Sequence, residues 1–112
     1  MNSQLEALIM LQDLDLMIKE MSDQKTASQM SRIGFDVEAV ENLTEARVEM
    51  ADKIDPDNMA IYTRLMERYQ RAIVPIRNGI CLACFLKQPT KYSVSDVRVL
   101  KCYHCNRFLY FI

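Results

Sequence analysis

Two Cys-x-x-Cys pairs, Cys81-Leu-Ala-Cys84 and Cys102-Tyr-His-Cys105, hold all four cysteines of this 112-residue chain, with 17 residues between the pairs. Thiolates are soft donors, and two such knuckles joined by a loop of this length match the spacing at which four sulfurs close around one zinc ion. Four protein ligands leave no open coordination position, so the pattern predicts a structural ion and not a hydrolytic one. Iron suits the same four-thiolate cage, and spacing does not separate the two metals. Disulfides rank below both. Met1 to Leu5 has no basic stretch and no cleavage site follows it, so the chain is expected in the cytoplasm, where thiols stay reduced. His104 lies inside the second knuckle and is expected to face solvent, because the turn presents its first and last residues to the metal.

Half of the residues are apolar and 26% are charged, an ordinary balance for one small domain or two. No run of about 18 apolar residues occurs, so no membrane span is expected. The net charge of −1 hides an asymmetry: residues 1–55 carry −7 and residues 56–112 carry +6. Charge segregated in this way predicts separate surfaces for separate partners, or an acidic helix face turned to solvent.

The elements that must position the cysteines begin with helices. Ala7, Leu11, Leu14, Ile18 and Met21 step by four, three, four and three, a heptad seam that Leu8 and Met17 broaden. Asn2 or Ser3 can cap this helix, with Glu6 placed as in a capping box. The pattern weakens over Ser22 to Ser31, and a hairpin turn is placed there and at Gly34. A second helix is predicted from Phe35 to Ile54, with Val37, Val40, Leu43, Val48, Met50 and Ile54 as its apolar set. The seam is short for a coiled coil, so dimerisation or packing on another protein is expected. Asp55-Pro56-Asp57 starts a third helix with proline at its first position, carrying Arg64, Arg68 and Arg71 and ending near Arg71.

Ile73 to Ile76 reads as extended, and Asn78-Gly79 as the turn that delivers Cys81. Gln88-Pro89-Thr90 reads as loop. Val97–Lys101 and Arg107–Ile112 read as two antiparallel strands flanking the second knuckle. Alternation puts Phe108, Tyr110 and Ile112 on one face and Leu109 and Phe111 on the other, one of them against the helices. The expected fold class is therefore α+β: an acidic antiparallel helical hairpin over 1–55, a basic connecting helix over 56–72 and a four-cysteine ribbon over 73–112. So small a ribbon must draw much of its stability from metal, on the order of 10 kcal/mol in zinc peptides.

Three function classes follow. Binding of a protein partner, or of a second copy of the chain, through the helices is suggested by the short seam and by helical methionines such as Met10, Met17, Met21, Met59 and Met66, since methionine suits adaptable interfaces and also fills cores. Nucleic-acid binding rests on Arg77, Lys87, Lys91, Arg98, Lys101 and Arg107, interleaved with Phe85, Tyr92, Tyr103 and Phe108: cations for phosphate and aromatics for bases, or equally a soluble surface over a small core. Enzymatic activity is not expected, since the only histidine sits in a knuckle and two glycines make no phosphate loop. A rubredoxin-like iron carrier remains as the redox alternative.

The opening Leu8-Ile-Met-Leu-Gln-Asp-Leu-Asp15, the segment Ile54-Asp-Pro56 with Ala60-Ile-Tyr62, and above all Val74-Pro-Ile-Arg-Asn-Gly79 before the first knuckle and Cys105-Asn-Arg-Phe-Leu-Tyr110 after the second resemble the bacterial helical-hairpin proteins that end in a C4-type zinc ribbon. The resemblance spans nearly the whole chain, most specifically the ribbon. It implies an adaptor without catalytic activity. Relatives in that family are linked to the sigma factor controlling flagellar genes, to flagellar or type III secretion components and, in one branch, to messenger RNA. Two departures stand out. The hairpin is much shorter than is usual in the family, and Phe85 and Asn106 occupy the post-knuckle position where glycine is usual, which predicts a distorted first knuckle.

Overall fold

The computed structural model describes residues 3–28, 37–90, 92 and 99–112. Among them are three helices, α1 (Ser3–Ser28), α2 (Val37–Asp52) and α3 (Pro56–Arg68), and one small sheet of β1 (Ile73–Arg77), β2 (Ile80–Cys81) and β3 (Phe108–Phe111), an α+β arrangement. No described helix is long and apolar enough to cross a membrane.

α1 starts where its polar first residue and Glu6 predict, a carboxylate in the first turn meeting the positive end of the helix dipole. It continues through Ser22–Ser28, where the sequence suggests a turn; polar residues alone do not end a helix when neither glycine nor proline interrupts them. The turn placed at Gly34 lies outside the described residues. Ala7, Leu8 and Leu11 are buried and Leu14, Ile18 and Met21 half-buried, but Met17 is 46% exposed. At about 100° per residue the buried arc centres on Leu5, Leu8, Leu11 and Gln12, and Met10 and Met17 point away from it. Val48, predicted for the apolar face of α2, is likewise exposed.

α1 and α2 pack with opposite chain senses. The Gln4 amide nitrogen donates to the Lys53 carbonyl just beyond α2, while Asp15 pairs with Arg47 farther back. Gln4 Oε1 also accepts the Asp55 N–H (2.9 Å) and Asn58 Nδ2 (3.3 Å). Asp55 stands at the N-cap of α3 without a side-chain capping bond, and Pro56 takes the first position, where a missing N–H costs nothing. α3 stops at Arg68, short of the predicted Arg71, because Tyr69 turns extended (φ −127°, ψ 161°).

The sheet order is β2-β1-β3. β1 and β2 form a tight antiparallel hairpin through Asn78 (φ 53°) and Gly79 (φ 75°), the two-residue turn whose twist matches its strands. The last strand makes a pairing that the sequence did not suggest: β3 runs parallel to β1, from Ile73↔Phe108 to Ile76↔Phe111. Of the strand expected over Val97–Lys101, residues 97 and 98 lie outside the described residues, and Lys101 meets Phe108 in a single antiparallel bridge. Alternation holds: Phe108 and Tyr110 join Ile73 in a core with Leu5, Leu8, Leu11, Tyr62 and Leu65, while Leu109 and Phe111 join Val74 and Ile76 beside the cysteines. Ile112 is exposed.

Two polar clusters fasten these layers. Gln12, 3% exposed, accepts the N–H groups of Ala72 and Ile73 through Oε1, both at 2.7 Å, and donates Nε2 to the Ile73 carbonyl at 3.1 Å. Asp15 accepts the Tyr62 hydroxyl at 2.5 Å and pairs with Arg47, so one carboxylate touches all three helices. Burial, and then the bond to Asp15, push the Tyr62 hydroxyl well above its ordinary range. Replacing Gln12 with leucine strands two buried donors and an acceptor, and should cost at least about 2 kcal/mol in urea unfolding of the metal-loaded protein; a loss under about 0.5 kcal/mol would show that the contact does not matter.

Candidate metal centre

Cys81 ends β2 and Cys102 follows the Lys101 bridge, so strand pairing brings the leading cysteine of each knuckle into the sheet's second core, at 0% and 1% exposure. Cys84 and Cys105, on the outer ends of the turns, are half-buried. The two knuckles repeat one backbone pattern. Cys81 N–H donates to Leu86 O and Phe85 N–H to Cys81 O; Cys102 N–H donates to Arg107 O and Asn106 N–H to Cys102 O. Each turn then needs a left-handed residue after its second cysteine, and Phe85 (φ 62°) and Asn106 (φ 63°) both supply it. The first knuckle is therefore not distorted: Phe85 accepts a conformation that costs a non-glycine residue about 1–2 kcal/mol.

All four sulfurs lie within 4.8 Å of one another, with Cys81–Cys105 at 4.0 Å and Cys84–Cys102 at 3.5 Å, so the four cysteines could hold one metal ion. A tetrahedral ion about 2.3 Å from each sulfur requires sulfurs about 3.8 Å apart, which these spacings bracket. The surroundings of Cys102 also suit thiolate. Cys102 Sγ receives the N–H groups of His104 and Cys105, each at 3.4 Å, and Gln88 Nε2 at 3.2 Å. Burial raises the Cys102 thiol, but the N–H groups of Cys105 and His104, joined by the Cys105 and Cys84 thiols, outweigh it and bring it down to about 7. Burial pushes Cys105 up to about 12 and raises Cys84 as well.

Gln88 is the residue that motif reading missed. Read as loop, it is 3% exposed; its N–H donates to Gly79 O, its Nε2 also to Leu86 O, and its Oε1 accepts the Tyr103 N–H at 2.8 Å. One amide thus links the first hairpin to the second knuckle and to a ligand sulfur, the kind of outer contact that orients metal ligands. Its place in the segment between the knuckles, four residues after Cys84, is the one signal the sequence offers. His104 faces solvent as expected, with its ring edge-on to Tyr103.

The six cationic residues proposed for a nucleic-acid face differ in their surroundings. Arg77, Lys87 and Lys101 are exposed, and Lys91 and Arg98 lie outside the described residues. Arg107 is half-buried with its guanidinium 3.6 Å from the centre of the Tyr69 ring, so it acts first as a cation–π link between the end of α3 and the second knuckle. Among the aromatics, Phe85 and Tyr103 are exposed, whereas Phe108 is core and the half-buried Tyr92 donates its hydroxyl to Lys101 O. A groove of about 400 Å³ between α3 and the second knuckle does gather cations, Arg64, Arg68 and Lys101, beside Tyr69 and Asn106.

No protein-family model matches the chain, and no curated protein does. Its fold is similar to the 2.12 Å structure of CT398 from Chlamydia trachomatis, with a TM-score of 0.52 and 24% identity over 88% of this chain. The chain spans 47% of that protein's length.

Replacing any one of the four cysteines with serine should lower metal occupancy and loosen residues 73–112 while leaving helix content largely intact, measured by metal analysis and circular dichroism. Gln88→Ala should weaken metal affinity about tenfold or more in a chelator competition. Metal binds thiolate, so any thiol still protonated must release its proton. Cys102 is protonated below about pH 7 and ionised above it, whereas Cys105 stays protonated well beyond. Calorimetry in buffers of different ionisation enthalpy should show metal binding releasing about one proton fewer as pH rises through that value.

Proposed function

We propose that this protein is a non-enzymatic cytoplasmic adaptor of the bacterial C4 zinc-ribbon type, with a shortened antiparallel helical hairpin over residues 1–55, a connecting helix over 56–72 and a ribbon over 73–112 that holds one structural zinc. The four-sulfur cluster carries the metal half of this reading: four protein donors saturate a tetrahedral ion, so its role is to fold the ribbon. The binding half draws on apolar side chains that the helices leave in solvent, Met10 at 53%, Met17 at 46% and Val48 at 53%. Such a surface suits a protein partner or a second copy of the chain. By resemblance, the partner would come from the transcription or flagellar and secretion machinery.

The groove of Arg64, Arg68 and Lys101 favours a second reading, in which the connecting helix and ribbon grip an RNA backbone. The acidic first half would confine such contact to one side.

A pull-down with the metal-loaded protein from bacterial lysate, with and without nuclease and at low and high salt, separates the two. Nuclease-resistant recovery of a defined protein, lost in Met10→Asp or Met17→Asp, is the expected outcome. RNA recovery that falls with salt and with neutralisation of Arg64, Arg68 and Lys101 would replace the adaptor with the second reading. Metal analysis of the purified protein should find one zinc per chain, and a coloured iron form would move the site to electron transfer.

A further inference from the structure

Phe85 departs from two local preferences at once. Its backbone is left-handed, φ 62°, and it leaves 72% of its surface in water. The second knuckle makes the same turn with Asn106, at φ 63°, a residue type that tolerates the conformation. The turn therefore needs the backbone state, not the aromatic ring. A strained residue that packs against almost nothing points to a role outside the fold.

Its neighbours share that exposure. Ile80 is 39% and Leu86 45% exposed: Leu86 follows Phe85 directly in the chain, and Ile80 bridges to Lys87 just beyond it. Arg77, the register partner of Ile80, and Lys87 are exposed cations at its border. No Asp or Glu occurs anywhere between Glu67 and Asp96, so nothing in this stretch of sequence offsets them.

We propose that this part of the first knuckle, Ile80, Phe85 and Leu86 bordered by Arg77 and Lys87, docks an acidic segment of a partner protein that lays an apolar side chain against Phe85. The cationic border selects the acidic partner by charge complementarity. Two of the three apolar residues are aliphatic and present no π-face, which favours a peptide side chain over a nucleobase, since base-stacking platforms use successive aromatics. The inference deepens the adaptor reading and rests on it, but moves the contact from the helices to the ribbon.

The test uses the full-length, metal-loaded chain and a phage-displayed library of random dodecapeptides. Selected peptides should place Asp or Glu around an apolar residue. Synthetic copies, followed by fluorescence anisotropy, should bind about tenfold or more weakly to Phe85→Gly, as expected for a central aromatic anchor, and weakly to the Arg77→Glu, Lys87→Glu double variant. Phe85→Gly should keep its metal and melt no lower than the parent chain, because glycine relaxes the left-handed backbone. That separates docking from folding. Selection of peptides without acidic residues, or equal affinity for Phe85→Gly, would overturn the proposal. So would metal loss or a lowered melting temperature in Phe85→Gly, which would make the ring structural. Phe85-dependent binding of labelled oligothymidylate in place of peptide would assign the surface to nucleic acid, and Phe85-dependent self-association in sedimentation would assign it to a second copy. A partner protein still recovered by Phe85→Gly would leave the adaptor reading standing while removing this surface from it.

Discussion

The three hydrogen bonds of Gln12 decide where β1 begins, and nearly everything else is arranged around that strand. A three-stranded sheet of this size has no interior of its own. β1 solves the problem by serving two cores. Ile73 turns toward the helices with Phe108, and Val74 and Ile76 turn toward the cysteines with Leu109. At the point where the chain leaves α3 and enters the sheet, the backbone groups of Ala72 and Ile73 are buried without a helical partner, and the amide of Gln12 supplies both an acceptor and a donor. Water does the same work at an exposed junction but is excluded here.

The second core is built on the cysteines as the first is built on the helices. Its buried residues are few, and two of them are Cys81 and Cys102. Without an ion, four thiols crowded within 4.8 Å replace a bonded centre by weak contacts. The Gln88 amide ties the knuckles to each other, and Arg107 on the Tyr69 ring ties the second knuckle back to the end of α3.

The local conflicts in the chain fall into two kinds. Gln12, Asp15 and Gln88 are polar residues in buried or half-buried positions, and each is satisfied by partners from distant sequence. Phe85 is the opposite case, an aromatic ring held outward on a backbone that favours glycine, with no packing to offset it. The first kind is explained by the fold, and the second calls for something beyond it.

Local chemistry made much of this legible. Cysteine spacing marked the metal cluster, apolar steps marked α1, Pro56 marked the start of α3, and Asn78-Gly79 marked the hairpin, because each is governed by the geometry of a few neighbouring residues. Alternation also sorted Phe108 and Tyr110 from Leu109 and Phe111. The parallel pairing of β3 with β1 was not legible, since alternation reports the faces of a strand and says nothing of the direction of its neighbour. Gln12 and Gln88 look like surface residues until partners roughly 60 and 15 residues away enclose them. Arg107 reads as a free cation until Tyr69 is brought beneath it. The sequence by itself determined the donors, the turns and the helical stripes, which depend on short-range stereochemistry. Only the tertiary structure decided strand direction, which polar groups are buried and which charges remain available, because those depend on what long-range packing brings together.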